Sequence, residues 1–89
     1  AKLFIILENQ AVRLKKEVKM KIIDAKSLGK AIRDRRKELN YTQTYLSEFT
    51  GFSVSFISDL ERGKPTVELE KTLKIINILG LDILIEKRG

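Results

Sequence analysis

The stretch Thr42-Gln43-Thr44-Tyr45-Leu46-Ser47-Glu48-Phe49-Thr50-Gly51-Phe52-Ser53-Val54-Ser55-Phe56-Ile57-Ser58-Asp59-Leu60-Glu61-Arg62-Gly63-Lys64-Pro65 encodes two short helices joined by a tight turn. Thr42 suits an N-cap, because its hydroxyl can accept a backbone N–H of the first turn. The helix it opens runs through Leu46 and Phe49 and stops at Gly51, which enters the left-handed conformation without a Cβ clash. Ser53 caps the next helix, which buries Ile57 and Leu60 at i, i+3. Gly63-Lys64-Pro65 ends it, since glycine terminates a helix and proline cannot continue one. Leu46, Ser47, Gly51, Ile57 and Leu60 fall where two crossed helices meet: Ser47 permits close approach, Gly51 turns the chain, and Ile57 and Leu60 anchor the second helix. One face of that helix stays free, with Val54, Ser55, Ser58, Asp59 and Arg62.

Working outward, Ser27 caps a preceding helix with apolar positions Leu28, Ala31, Ile32 and Leu39, ending near Asn40-Tyr41. Lys30, Arg33, Arg35, Arg36 and Lys37 occupy its other faces. The three helices between residues 27 and 63 match a helix-turn-helix. Thr66 caps a fourth helix, with Glu68 and Glu70 where the dipole favours negative charge. Leu69, Leu73, Ile76 and Leu79 form its apolar face, and Gly80 ends it. Residues 81–87 change period: Leu81, Ile83 and Ile85 alternate with Asp82, Leu84 and Glu86, as in a strand. A lone strand leaves its backbone groups unpaired. Its partner is residues 2–7, a short strand near residues 20–23, or the same strand of a second chain, and its C-terminal place favours the second chain. Residues 1–22 fit a helix on the stripe Leu3, Leu7, Ala11, Leu14 and Val18, or a strand over residues 2–7; Lys15, Lys16, Lys19 and Lys21 read as a solvated face. Met20 is a plausible natural start, which would make residues 1–19 an upstream extension.

Eighty-nine residues fit one small domain. It divides into an arm over 1–22, a helix-turn-helix domain over 23–80 and a dimerisation strand over 81–89. Cysteine and histidine are both absent, which removes disulfides, thiol chemistry, Cys/His metal sites and His-dependent catalysis. No catalytic residues, metal or cofactor are expected, and the chain reads as a non-enzyme. The net charge of +6 is unevenly spread. Residues 1–45 hold twelve basic and five acidic groups, and residues 46–89 hold six and seven. Such a one-sided field suits a polyanion, nucleic acid before membrane. The apolar run over residues 3–7 is too short to span a bilayer, and no signal-peptide cleavage site follows it, so a cytoplasmic protein is expected.

Thr42-Gln43, Leu46-Ser47, Gly51 and the run Ser55-Phe56-Ile57-Ser58-Asp59-Leu60-Glu61-Arg62-Gly63-Lys64-Pro65 together resemble the Cro/repressor (XRE-like) helix-turn-helix family. The stretch 61–68, Glu-Arg-Gly-Lys-Pro-Thr-Val-Glu, followed by a C-terminal strand, is most similar to HipB-type antitoxin regulators. The resemblance covers residues 20–88. It implies an all-α, lambda-repressor-like fold with a short C-terminal strand that pairs across a dimer through Leu81, Ile83 and Ile85.

The resemblance also implies site roles. Gln43 would bind DNA phosphate at a helix N-terminus. Ser53, Val54, Ser55, Ser58 and Asp59 would lie on the face turned to the major groove, and Arg62 and Lys64 near phosphates. Arg36 and Glu61 match a buried ion pair, although helical geometry alone leaves Arg35 and Arg36 both open. The reading helix departs from the usual pattern. Val54 offers only apolar contact to a thymine methyl, and Asp59 is either an acceptor for cytosine N4 or a surface carboxylate. Phe52 and Phe56 read as core or subunit-contact residues in preference to base wedges.

The expected function is a homodimeric, sequence-specific repressor of a palindromic double-stranded DNA operator. It would also be the autoregulating antitoxin of a HipA-like kinase toxin. The rival is a protein-interaction module that neutralises a toxin and binds DNA weakly or non-specifically. A further alternative has residues 1–22 as a basic amphipathic helix on anionic membrane, although Phe4 is the arm's only aromatic anchor.

Overall fold

The computed structural model describes residues 2–9 and 16–89, with side chains from Lys19 onward. Its elements are β1 (Lys2–Asn9), β2 (Lys16–Ile22), α1 (Ala25–Glu38), α2 (Gln43–Thr50), α3 (Val54–Glu61), α4 (Leu69–Ile78) and β3 (Leu81–Glu86). Four helices accompany a three-stranded antiparallel sheet of order β2-β1-β3, with α1 against β2 and α4 against β3. The domain is mainly helical, as expected, with more strand than the resemblance implied. Among the described residues no helix is long and apolar enough to cross a membrane.

Among the described residues the arm is strand and not helix. Leu3, Ile5 and Leu7 stand opposite Ile22, Met20 and Val18 on one side and Ile85, Ile83 and Leu81 on the other. Ala11, Leu14 and Lys15 of the helical alternative lie outside the described residues. Of the partners open to the C-terminal strand, residues 2–7 take one side: β3 pairs with β1 of its own chain, over Lys2↔Glu86 to Leu7↔Leu81. Gly80, at φ +71°, reverses the chain at the end of α4 and returns β3 to the core. Leu81 is buried there, and Ile83 packs against the same cluster, so both are engaged within the chain. Ile85 remains exposed. The arm and the C-terminal strand thus belong to one sheet.

The helix boundaries follow local chemistry. Asp24 caps α1 in place of the expected Ser27: its Oδ1 accepts the Ser27 N–H at 2.7 Å, and Ser27 Oγ accepts the Asp24 N–H at 3.1 Å. This reciprocal box satisfies two donors that the first turn would otherwise leave unpaired. The Ser27 backbone N–H, and after it the Ser27 hydroxyl, hold the exposed Asp24 carboxyl below its ordinary pKa. α2 and α3 begin as expected, with Thr42 Oγ1 accepting from Tyr45 N–H and Ser53 Oγ from Phe56 N–H. α4 begins later than Thr66 predicts; Glu68 is its N-cap residue and makes no side-chain cap.

The core contains Ala31, Ile32, Leu46, Ile57, Leu60, Ile75, Ile76 and Leu79. The inward face of α4 differs from the expected stripe: Thr72, Ile75, Ile76 and Leu79 are buried, and Leu69 and Leu73 face solvent. Thr72 can be buried because its hydroxyl donates to the Glu68 carbonyl at 2.7 Å, which spares an unpaired polar group. α1 and α3 cross closely at Gly29. A Cβ there would meet the Leu60 carbonyl oxygen and lie 2.8 Å from that of Glu61.

Candidate nucleic-acid interface

α2 and α3 are locked together before any ligand arrives. Leu46 and Ile57 are fully buried between them, Ser47 Oγ donates to the Phe52 carbonyl at 2.5 Å, and Gly51 makes the turn at φ +78°. The tight turn depends on glycine, since other residues rarely adopt that φ.

Behind α3 lies the ion pair the resemblance implied, and it selects Arg36. Arg36 Nε donates to Glu61 Oε2 at 2.6 Å and Nη2 to Oε1 at 2.9 Å, while Nη1 reaches the Tyr41 carbonyl at 2.8 Å. The two side chains are 9% and 3% exposed, so the bidentate geometry and the third bond are needed to offset the loss of hydration. The hydrogen bonds to Glu61 raise the Arg36 pKa further and keep the guanidinium charged. Arg35 goes elsewhere, its Nε donating to the Leu79 carbonyl at 2.8 Å and satisfying the C-terminus of α4.

The expected contact residues separate into groups. Gln43, at the start of α2, donates from Nε2 to Glu61 Oε1 at 3.1 Å, so it is oriented from behind by the ion pair. Ser53 Oγ serves as the α3 cap. Val54 and Ser55 are exposed on the first turn of α3. One turn further on, Ser58, Asp59, Arg62 and Lys64 form a single polar cluster. Arg62 Nη1 donates to Ser58 Oγ, Arg62 Nη2 to Asp59 Oδ1 at 2.6 Å, and Lys64 Nζ to Asp59 Oδ2 at 3.4 Å. Phe52 and Phe56 are half-buried, edge to face at 5.7 Å, with Lys71 Nζ 5.7 and 5.5 Å from their ring centres. They support the turn and do not project as wedges.

A surface outside the expected set is also present. Tyr41, Tyr45 and Phe49 follow one another at i, i+4 with ring centres 4.8 and 6.3 Å apart; Tyr45, Phe49 and the neighbouring Ile78 are exposed. The aromatic spacing is visible in the sequence; the exposure is not, because an i, i+4 row equally fits a core face.

This arrangement presents one short helix by its exposed face, braced by a second, with cations at its far end. Residues 32–85 match the profile of the family described as helix-turn-helix. The chain belongs to that family. It is 41% identical over 56 residues to the "uncharacterized HTH-type transcriptional regulator y4mF" of Sinorhizobium fredii (strain NBRC 101917 / NGR234), a match covering 63% of this chain and 74% of the relative. It is 32% identical over 66 residues to the "ImmF control region 10 kDa protein" of Bacillus phage phi105, covering 74% of this chain and 73% of that protein. The chain is accordingly a helix-turn-helix transcriptional regulator with a DNA-binding domain. In this family α3 takes the place of the reading helix and α2 that of its brace.

Proposed function

We propose that this helix-turn-helix protein is a transcriptional repressor that binds a palindromic operator as a homodimer. The supporting observation is the exposed face of α3 among the described residues, with Val54 and Ser55 on its first turn, Arg62 and Lys64 beyond its last, and Gln43 hydrogen-bonded to Glu61. Gln43 and the first N–H groups of α2 would meet one phosphate, and Arg62 and Lys64 another. On the exposed face of α3 Val54 would contact a thymine methyl and Ser53, Ser55 and Ser58 the base edges. So few strong base contacts leave much of the discrimination to DNA shape.

Dimerisation is supported by the outer edge of β3, unpaired among the described residues, and by the exposed Ile85. Joining β3 to its copy across a two-fold axis would cover that edge and set two α3 helices one DNA turn apart, about 34 Å. Leu81 and Ile83 would stiffen the strand from its buried side. The relative named for the ImmF control region supports a repressor role.

The finer role, an autoregulating antitoxin of a HipA-like kinase toxin, rests on the resemblance of residues 61–68. The second reading, a protein-interaction module, is favoured by the exposed Tyr45, Phe49 and Ile78 surface. A salt titration of binding to duplex DNA discriminates the two. Arg62 and Lys64 of both subunits, four cations in all, predict a loss of about a hundredfold between 50 and 200 mM salt. Absence of binding even at the lower salt contradicts the repressor and favours the interaction module. Co-purification with a HipA-like kinase encoded beside the gene tests the antitoxin role, and failure to co-purify contradicts it.

A further inference from the structure

Asp59 is an acid on the face of α3 that the proposed function turns toward a polyanion, and three observations bear on why it is there. It lies in the last turn of α3, where a negative charge opposes the helix dipole, so helix stability does not account for it. Its side chain is only 26% exposed, which is not the setting of a freely solvated carboxylate. Its two oxygens are already engaged, Oδ1 by Arg62 and Oδ2 by Lys64, and Arg62 is held a second time by Ser58. A carboxylate so occupied is poorly placed to accept from a base edge. The two cations are themselves well exposed, at 68% and 53%, and project beyond the carboxylate they share.

We propose that Asp59 is a positioning residue, which fixes Arg62 and Lys64 at the end of the reading helix and lowers the charge they present to DNA. This rests on the DNA-binding reading and adds its control. The cluster carries a net charge of +1 in place of +2, so random duplex is held less tightly. The cations engage fully only where backbone geometry lets phosphates displace the carboxylate. Asp59 thereby raises the ratio of operator binding to non-specific binding without touching a base.

The test compares the wild-type chain with Asp59→Asn, Arg62→Ala/Lys64→Ala and the triple variant, after circular dichroism has shown each to be folded. The probes are a random-sequence duplex and the operator duplex selected by the wild-type protein, each titrated across salt. Asp59→Asn is expected to tighten random-duplex binding roughly threefold to tenfold and to steepen the salt slope by up to about one unit. That gain disappears when Arg62 and Lys64 are alanine. A gain that persists in the triple variant means simple repulsion and overturns the positioning role. So does a loss confined to operators carrying a particular C·G pair, which marks a cytosine reader. Wild-type protein that binds no duplex at low salt, so that selection yields no operator, overturns the DNA-binding reading, and this inference with it.

Discussion

Gln43 Nε2 lies 3.1 Å from Glu61 Oε1, so the first residue of α2 is hydrogen-bonded to the last residue of α3. Glu61 also takes both forks of the Arg36 guanidinium. One buried carboxylate therefore joins α1, α2 and α3 and orients the glutamine proposed to meet phosphate. Glu61→Gln strands the Arg36 charge in the interior and is expected to cost about 3 kcal/mol in urea unfolding. Arg36→Met/Glu61→Leu should recover much of that stability, because no buried charge is left alone. Equal destabilisation of the single and double variants would contradict the pair's role as a desolvated unit.

Gly29 sits inside α1, where alanine is ordinarily the better helix former by about 1 kcal/mol. Here the added methyl would press on the α3 backbone at Leu60 and Glu61. Gly29→Ala is expected to destabilise by about 1–3 kcal/mol in thermal unfolding, overpacking outweighing propensity. A stabilised variant would mean that α1 and α3 do not approach so closely.

The proposed dimer separates Ile83 from Ile85. Ile83 packs against the chain's own core, whereas Ile85 is 69% exposed on β3, the outer strand of the described sheet. Ile85→Asp is expected to give a folded monomer by light scattering and circular dichroism, and Ile83→Asp to unfold. An unchanged Ile85→Asp dimer, or a monomeric wild-type protein, contradicts dimerisation through this edge.

The Asp24 cap makes α1 sensitive to acid. Folding lowers its pKa from the ordinary 3.8, so its contribution is present above that value and is lost as pH falls through the lower, folded one. Asp24→Ala is expected to lower the Tm by a few degrees at neutral pH, and the gap should close on acidification below 3.8. A gap that does not change with pH would show that the carboxylate is not the capping group.

The α2-turn-α3 unit was legible because its determinants are local. Thr42, Gly51 and Ser53 each act within four residues, and Leu46, Ile57 and Leu60 repeat at helical spacing. Features set by distant partners were less so. Arg35 and Arg36 are neighbours in sequence, and only the folded positions of Leu79 and Glu61 assign them. α4 offers two overlapping stripes, and the one containing Thr72 wins because its hydroxyl is satisfied by the preceding turn. β3 found its partner in residues 2–7, an option the strand's own alternation left open. Asp59 and Arg62 stand at i, i+3, so their contact was readable, but the part Lys64 plays depends on the turn at Gly63.

The most direct test of the account is selection of genomic fragments by the purified protein at moderate salt, followed by sequencing. For a homodimeric repressor the expected result is enrichment of a palindrome whose half-sites lie one helical turn apart, beside the gene for this chain. Recovery of fragments no different from random would contradict it, leaving contact with DNA as charge attraction alone.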